Sequence, residues 1–424
     1  MSQRTPARTT GARLQSMAGC LLAAALAGCA GEEPVRPRNA ILISIDTLRP
    51  DFLGCYGHPR ETSPHLDALA RRGVRFTDVT AASPWTLPSH ATMFTGLYPS
   101  HHGVKHHETR LAESFETVAE ALGAAGFETF AVVNTHNIGA PQFQLQQGFE
   151  HFEYVSEIDR DARGRIRTPN MGPLVLSTAK EMLAARDAAR PFFLFLHFYD
   201  VHTDFTPRPE LRARFVQPYT GKLNARSQQL NGIRNRGERL KAADLTFLRE
   251  MYEAEIRTFD ELFGELMTWL ATQGLADETL IVVTSDHGEE FQEHGGLLHG
   301  RTQYQEVLSI PLILAGPGLP EGAVVDQPVH AIDVAPTLLA ALGVRSAARR
   351  DGLDLAPAWR GGTLPERAFF GEADHNNPVG NEKVHDIKKM IRRGSEKLLL
   401  DTHTLRTELY DLAQDPGERS DLLA

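Results

Sequence analysis

Residues 83–103 carry a hydroxyl side chain in a position where it could act as a nucleophile. Thr86 stands just ahead of Pro88, and the Ala-Thr-Met-Phe segment that follows predicts a helix. A hydroxyl at the start of a helix faces the positive end of the helix dipole and several free backbone N–H groups, which would stabilise an oxyanion. We therefore take Thr86 as the candidate nucleophile. The alternative is a threonine that only caps the helix.

Four apolar segments predict buried strands, and each is followed by polar residues able to hold a metal or an anion. These segments and their polar residues are 39–44 with Asp46, 129–133 with Asn134, Thr135 and His136, 191–197 with Tyr199, Asp200 and His202, and 280–284 with Asp286 and His287. Strands separated by helices at this spacing predict a mostly parallel sheet. Open α/β sheets build their sites beyond the carboxyl ends of the strands. We therefore expect these side chains to lie at one edge of the sheet.

Asp46, Asp286 and His287 offer two carboxylates and an imidazole, a suitable shell for a divalent cation. A hydroxyl such as that of Thr86 becomes acidic and nucleophilic close to such an ion. The other candidates for chemistry in this constellation are His202, His299 and Arg301. Each signal alone has an ordinary alternative, because Asp-His-Gly also forms turns and a histidine at a strand end is often a structural residue.

The remaining elements are predicted from periodicity and from helix-ending glycines. We expect helices at 64–72, 115–125, 245–273 and 336–342, a strand at 74–79, and short antiparallel strands at 389–393, 397–400 and 408–410. The basic segment 207–241 has little periodicity. We interpret it as a solvated loop, with a substrate-facing lid as the alternative.

The composition bounds the class of protein. At 424 residues and 42% hydrophobic content the chain can bury a large core, either as two to three units or as one large domain with a small appendage. The net charge of −10 and the pI near 6.0 give no overall attraction to nucleic acid or to an anionic membrane. An anionic substrate must therefore be held by a local site, and we expect no nucleic-acid partner.

The N-terminus predicts export and a lipid anchor. Residues 1–28 combine arginines with an apolar run too short to span a bilayer, and they end at Leu-Ala-Gly before Cys29. This ending resembles the bacterial lipoprotein box, so we expect Cys29 to be lipidated, residues 29–38 to be a tether, and the protein to lie in the bacterial cell envelope, facing the periplasm or the outer membrane. An ordinary secretory signal is the alternative. Cys55 is then left unpaired, which excludes a disulfide framework.

Several motifs occur together and in order along the chain. They are 46–51, 86–96, 197–202, 285–289, 304–311 and 408–418. With these motifs, residues 39–424 resemble a sulfatase of the alkaline phosphatase superfamily. The resemblance implies a large α/β domain with a helix-covered central sheet at 39–345, and a small C-terminal antiparallel α+β subdomain at 346–424.

The resemblance also implies roles for individual residues. The implied metal ligands are Asp46, Thr86, Asp286 and His287, and the implied nucleophile is Thr86. The residues implied to contact the substrate anion are His136, His202, Arg301 and His90. His299 is implied to protonate a leaving group. The cation would be Ca, Mg, Mn or Zn, with one ion expected. A second ion is possible if Asp200, His202 and His375 contribute. The substrate would be an anionic ester of a small molecule, a lipid or a glycan.

Departures from the family pattern bear on the reaction. Sulfatases use formylglycine made from cysteine or serine, and oxidation of Thr86 would give a ketone instead, so no formylglycine is expected. His90 replaces an arginine, Thr47 a metal-binding aspartate, and Asn134 an anion-binding lysine. A phosphothreonine can be opened by attack at phosphorus, whereas a sulfated threonine lacks the exit that the aldehyde hydrate provides.

Three hypotheses remain from the sequence. The first, which we favour, is a phosphodiester, phosphonate or phosphate-ester hydrolase or transferase. The second is a sulfuric ester hydrolase that works without formylglycine. The third is a surface lipoprotein that binds anions and has lost catalysis.

Overall fold

The computed structural model describes residues 1–3, 5, 35–156, 159–160, 166–167, 171–379 and 382–424. In 159–160, 166–167, 375–379 and 382–386 it describes the backbone alone. The chain forms two units, Met1–Val35 and Arg36–Ala424. Apart from residues 1–3 and 5, the predicted signal segment lies outside the described residues, and so does Cys29. Among the helices that are described, none is long and apolar enough to cross a membrane.

The strands belong to one large sheet and several small ones. Their bounds are β1 Asn39–Ile45, β2 Val74–Phe76, β3 Val79–Thr80, β4 Glu128–Val133, β5 His151–Tyr154, β6 Asp159–Arg160, β7 Ile166–Arg167, β8 Phe192–Phe198, β9 Thr279–Ser285, β10 Glu290–Phe291, β11 Leu297–Leu298, β12 Leu312–Ala315, β13 Ala323–Val325, β14 Val329–His330, β15 Ala368–Val379, β16 Glu382–Arg393, β17 Glu396–Asp401 and β18 Thr407–Asp411. The large sheet has the order β13-β2-β12-β9-β1-β8-β4-β5.

The helices cover this sheet. Their bounds are α1 Pro64–Arg71, α2 Thr86–Thr95, α3 Pro99–His102, α4 Val118–Ala124, α5 His136–Gly139, α6 Gly172–Ala185, α7 Pro209–Phe215, α8 Ser227–Asn235, α9 Ala242–Thr272, α10 Gln305–Leu308, α11 Val334–Ala341 and α12 Ala356–Trp359. Single 3₁₀ turns lie at Pro50–Phe52, Gly54–Tyr56, Pro141–Phe143, Ala276–Glu278 and Ala331–Asp333.

The predicted mostly parallel sheet is confirmed. Strands β9, β1, β8, β4 and β5 run parallel, and β12 runs antiparallel to both of its neighbours, β9 and β2. Alternate residues of β1 enter different cores, with Ile41 and Ile43 on one face and Ala40 and Leu42 on the other. Full burial of such a branched side chain contributes about 1.5 to 3 kcal/mol. The continuous apolar runs of the sequence arise because both faces of these strands are covered.

Two sequence interpretations are corrected by the fold. The expected strand at 74–79 is split into β2 and β3, which pair with different partners, β12 and β13 for β2 and β14 for β3. The basic segment 207–241 is not a plain solvated loop, because it contains α7 and α8. Leu211 and Phe215 are buried in α7, and Leu230 and Ile233 are buried in α8. Each of these short helices has only two buried apolar residues. The helical periodicity of hydrophobic residues is therefore too weak to be detected in such a highly charged segment.

The C-terminal strands form the predicted antiparallel unit. Strands β15, β16, β17 and β18 pair in that order, each antiparallel to the next. A buried ion pair joins Lys397 on β17 to Glu418, with 2.7 Å between Nζ and Oε1, and Lys397 also donates to Gln305 on α10. The subdomain boundary at residue 345 stays a prediction.

Candidate active site

The acidic residues meet because their strands are neighbours. β1 and β9 pair in parallel with Ile45 opposite Ser285, so that Asp46 and Asp286 leave the sheet side by side. The side chains of Asp46, Asp286 and His287 are all fully buried. The predicted convergence of these three residues at the carboxyl ends of the strands is what the structure shows.

Distances within this cluster are short. His287 Nε2 lies 3.3 Å from Asp286 Oδ2 and 3.8 Å from Asp46 Oδ1. His287 Nδ1 bonds to the Gly288 carbonyl at 3.0 Å, so its proton is on Nδ1 and the Nε2 lone pair faces the carboxylates. Both oxygens of Asp46, Oδ2 of Asp286 and Nε2 of His287 have no hydrogen-bond partner among the described residues.

Buried acceptors that face one another without a proton between them are costly unless a cation joins them. The donor set of carboxylate oxygens and an imidazole nitrogen matches what divalent ions bind in proteins. Asp46, Asp286 and His287 therefore fit the divalent cation that the sequence resemblance implies.

Thr47 orients this cluster through its backbone. Its N–H donates to Asp286 Oδ1 at 3.2 Å, and its φ of 59° places a β-branched residue in the left-handed region, where backbone strain is expected. The Thr47 hydroxyl donates to the Val201 carbonyl at 3.2 Å. Where the family pattern has a second metal-binding aspartate, this chain has Thr47, whose backbone N–H positions Asp286.

Thr86 is the first residue of α2, and the cap position is held by Trp85 in an extended conformation. The capping alternative therefore does not hold. The Thr86 side chain is buried beside Asp46. Burial raises the pKa of Asp46, while His202, His287 and the Thr86 hydroxyl act in the opposite direction. The structure thus brings the candidate nucleophile to the carboxylate cluster.

His90 does not occupy the place expected of a substrate contact. It is fully buried, its Nδ1 donates to the Thr86 carbonyl at 2.8 Å, and its Nε2 accepts from the Ser44 hydroxyl at 2.9 Å. Burial lowers the pKa of His90 to about 3, so the ring is neutral. The assignment of His90 to substrate binding is corrected: the ring fastens the first turn of α2 to β1.

Further imidazoles extend from the cluster toward the surface. The ring of His299 lies 4.5 Å from that of His287 and 4.9 Å from that of His202, and the His202 ring stacks on Tyr199. His299 Nδ1 shares a hydrogen bond of 3.2 Å with Glu289 Oε1. Burial raises the pKa of Glu289 to about 8. His299 and His202 therefore line the approach to the carboxylates, and their roles toward the substrate stay predictions.

Two arginines stand at this approach. Arg301 donates to Asn235 Oδ1 on α8 at 3.0 Å, and Arg234, also on α8, donates to the His299 carbonyl at 3.2 Å. Burial, with Arg301 nearby, lowers the pKa of Arg234 to about 10. The basic segment thus reaches the site, which favours the lid alternative over a loop in solvent.

Three other sequence predictions concern His136, Asp200 and His375, and the substrate-binding role of His136 stays a prediction. His136 is exposed at the start of α5, with its ring 5.8 Å from that of Phe143. Asp200 accepts from the Gly172 N–H at 2.8 Å and its carboxyl group interacts with Glu255, so it does not join the candidate metal groups. The side chain of His375 lies outside the described residues.

Sequence reasoning missed His197, Glu289 and Arg234 as individual site residues. His197 is fully buried and its Nε2 lies 3.4 Å from Asp46 Oδ2. His197 and Glu289 were visible as parts of motifs, and their position at or just after buried strands was the available signal. Arg234 carried no signal, because one arginine among nine cations in its segment does not stand out.

Comparison with known proteins identifies the family. Residues 38–344 match the family model described as Sulfatase. The chain is 25% identical to a Delta 4,5-hexuronate-2-O-sulfatase of Bacteroides thetaiotaomicron over 94% of this chain and 87% of the relative. In fold it resembles a protein solved with its substrate D-glucosamine-2-N,6-O-disulfate, with a TM-score of 0.75, 21% identity, and coverage of 92% of this chain and 94% of the other. It equally resembles the phosphonate monoester hydrolase of Agrobacterium radiobacter, with a TM-score of 0.74, 24% identity and 91% coverage of both chains. The chain belongs to the sulfatase family, ester hydrolases of the alkaline phosphatase superfamily.

Proposed function

We propose that the chain is a metal-dependent hydrolase or transferase of a phosphate-type anionic ester, such as a phosphodiester or phosphonate monoester, with Thr86 as its nucleophile. The observation that carries the proposal is the Thr86 hydroxyl at the first position of α2, buried beside Asp46. Lipidation of Cys29 and a place in the bacterial cell envelope belong to the same proposal.

Residue chemistry favours phosphorus over sulfur at the reacting centre. A threonine side chain yields no aldehyde, so a sulfated Thr86 would need direct attack at sulfur to be released. Water can attack the phosphorus of a phosphorylated Thr86 and hydrolyse the ester bond. Enzymes accelerate this reaction by positioning the reactants and stabilising the charge that develops.

In this mechanism Asp46, Asp286 and His287 would hold the cation, which would supply charge stabilisation for the ester oxygens and acidify a nearby hydroxyl. Thr86 Oγ1 gives its proton to solvent water and forms a bond to phosphorus while the bond to the leaving oxygen breaks, and solvent returns a proton to Thr86 Oγ1 when the threonine is released. His299, held by Glu289, gives a proton to the leaving oxygen. It then takes a proton from the water that attacks phosphorus and releases Thr86. His202, Arg234 and Arg301 contact the anion.

The proposal is tested with purified protein on an aryl phosphodiester, an aryl phosphonate monoester and an aryl sulfate, in Mn, Zn, Mg or Ca. Thr86→Ala is expected to abolish turnover of the phosphorus substrates. The matched control is Thr95→Ala on the same helix, whose hydroxyl donates to the Ala91 carbonyl at 2.7 Å and accepts from the Leu97 N–H at 3.3 Å. Turnover that persists in Thr86→Ala, or no turnover of either phosphorus substrate, would refute the proposal.

Sulfate-ester hydrolysis without formylglycine is the second candidate. The match of residues 38–344 to the family and the sulfatase named among its relatives favour it. Release of inorganic sulfate from an ester, lost in Thr86→Ala and kept in Thr95→Ala, would establish this function in place of the first.

A further inference from the structure

We propose that His197 supplies a second imidazole to the cation centre, and that the centre therefore prefers a first-row transition metal such as Mn²⁺ or Zn²⁺ over Ca²⁺ or Mg²⁺. This inference rests on the cation site of the proposed function and deepens it. It begins from the position of His197 on β8, which pairs in parallel with β1 and places His197 opposite Ser44.

The protonation of His197 follows from its neighbours. The backbone N–H of Tyr199 donates to Asn134 Oδ1 at 3.0 Å, which identifies that atom as the amide oxygen. The same oxygen lies 3.0 Å from His197 Nδ1, so Nδ1 must carry the proton and donate it. The Nε2 lone pair is then free to bind a metal, an arrangement typical of metal-ligating histidines.

This lone pair faces an acceptor. His197 Nε2 lies 3.4 Å from Asp46 Oδ2, and neither atom has a hydrogen-bond partner among the described residues. A charge-assisted N–H···O bond would measure about 2.7 to 2.9 Å. Ligand atoms about 2.1 Å from a four-coordinate ion lie about 3.4 Å apart, so the spacing fits two ligands of one cation better than a proton shared between them.

His90 shows why proximity alone does not make a ligand. Its Nδ1 lies 3.7 Å from Asp286 Oδ2, but that nitrogen donates to the Thr86 carbonyl and offers no lone pair. Asp286 belongs to two groups of candidate ligands, one with His90 and His197 and one with Asp46 and His287. With His90 excluded, the donors that remain are the carboxylates of Asp46 and Asp286 and the imidazoles of His287 and His197. Ca²⁺ prefers about six to eight oxygen ligands, whereas two imidazoles suit Mn²⁺ and Zn²⁺.

Asn134 gains a role from this arrangement. It stands where many family members carry an anion-binding lysine. Here its amide oxygen fixes the ring orientation and protonation of His197. The exchange of lysine for asparagine therefore accompanies the recruitment of an imidazole at this position.

The test measures metal binding without substrate. Wild-type protein, His197→Gln and the control His151→Gln, an exposed imidazole on β5 stacked on Phe130, are stripped with a chelator and titrated by calorimetry with Mn²⁺, Zn²⁺, Ca²⁺ or Mg²⁺. We expect His197→Gln to weaken Mn²⁺ and Zn²⁺ binding by about tenfold or more, with Ca²⁺ binding little changed and the control like wild type. Unchanged Mn²⁺ and Zn²⁺ affinities, or tighter binding of Ca²⁺ than of Mn²⁺ by the wild type, would overturn the inference.

A spectroscopic count keeps the inference falsifiable if His197→Gln does not fold. Pulsed electron paramagnetic resonance of the Mn²⁺-loaded wild type should show nitrogen couplings from two imidazoles, and a single imidazole would overturn the proposal. Both readouts are independent of turnover. Metal binding that depends on His197 in a protein that hydrolyses no phosphorus ester would uphold this inference and reject only the proposed reaction.

Discussion

The link between His90 and Ser44 makes a prediction about what holds the nucleophile in place. His90 Nε2 accepts from the Ser44 hydroxyl at 2.9 Å and Nδ1 donates to the Thr86 carbonyl at 2.8 Å, all in the buried interior. His90→Phe keeps most of the volume and removes both hydrogen bonds. We expect the first turn of α2 to be loosened and the protein to lose stability and kcat together.

The magnitude follows from the groups left behind. Loss of the bond to the Thr86 carbonyl costs about 1 kcal/mol, and the orphaned Ser44 hydroxyl costs about 1 to 3 kcal/mol more, so His90→Phe should lower the free energy of unfolding by about 2 to 4 kcal/mol. Ser44→Ala alone should cost about 1 to 3 kcal/mol, because it orphans His90 Nε2. In the double variant neither the Ser44 hydroxyl nor His90 Nε2 is left unpaired. Its loss in free energy of unfolding should therefore be about 1 to 2 kcal/mol smaller than the sum of the losses in the two single variants.

Urea unfolding of the four proteins in this cycle measures the coupling, and steady-state kinetics measures kcat and KM. Since burial lowers the pKa of His90 to about 3, the coupling should not change across neutral pH. Additive costs, or a stable His90→Phe variant with only a raised KM, would refute the supporting role and restore His90 as a substrate contact.

Three further predictions concern a buried ion pair, a buried carboxyl group and the approach to the site. Lys397→Met leaves the fully buried Glu418 carboxylate without its cationic partner and should lower the free energy of unfolding by about 3 to 5 kcal/mol. Adding Glu418→Gln to this variant should restore part of that stability. An unchanged free energy of unfolding in urea would contradict the prediction. Burial raises the pKa of Asp260 to about 7, so the folded state favours the protonated carboxyl group. The protein should therefore lose stability as pH rises from about 4 to about 7, by at most about 1.4 kcal/mol per pH unit. Asp260→Asn should flatten this slope in unfolding measured across that pH range, and an unchanged slope would count against the prediction. Arg234→Gln should raise the KM for an anionic ester about tenfold or more with kcat little changed, since a charged hydrogen bond contributes about 1.5 to 3 kcal/mol, and an equal KM would rule out contact with the anion.

Much of the fold could be predicted because its information is local. The runs ending at Asp46 and Asp286 are continuous and apolar, so they predicted buried parallel strands, and the carboxyl ends of neighbouring parallel strands meet. The position of Thr86 before a helical segment likewise placed it at the start of α2.

The missing parts depend on pairings that a single sequence does not encode. His197 was one residue of an apolar run, and its proposed role rests on the bond to Asn134 and the 3.4 Å separation from Asp46. Arg234 reaches the site because α8 packs on two buried residues, Leu230 and Ile233, which are sparse in a charged segment.

The most direct test of the account is whether Thr86 is phosphorylated during turnover. Protein quenched while it hydrolyses an aryl phosphonate or phosphodiester is digested and examined by high-resolution mass spectrometry, which separates phosphoryl from sulfuryl groups. We predict that the peptide containing Thr86 carries the phosphorus group and that Thr95→Ala leaves this label in place. Turnover with an unmodified Thr86, or a label on another residue, would contradict the central claim.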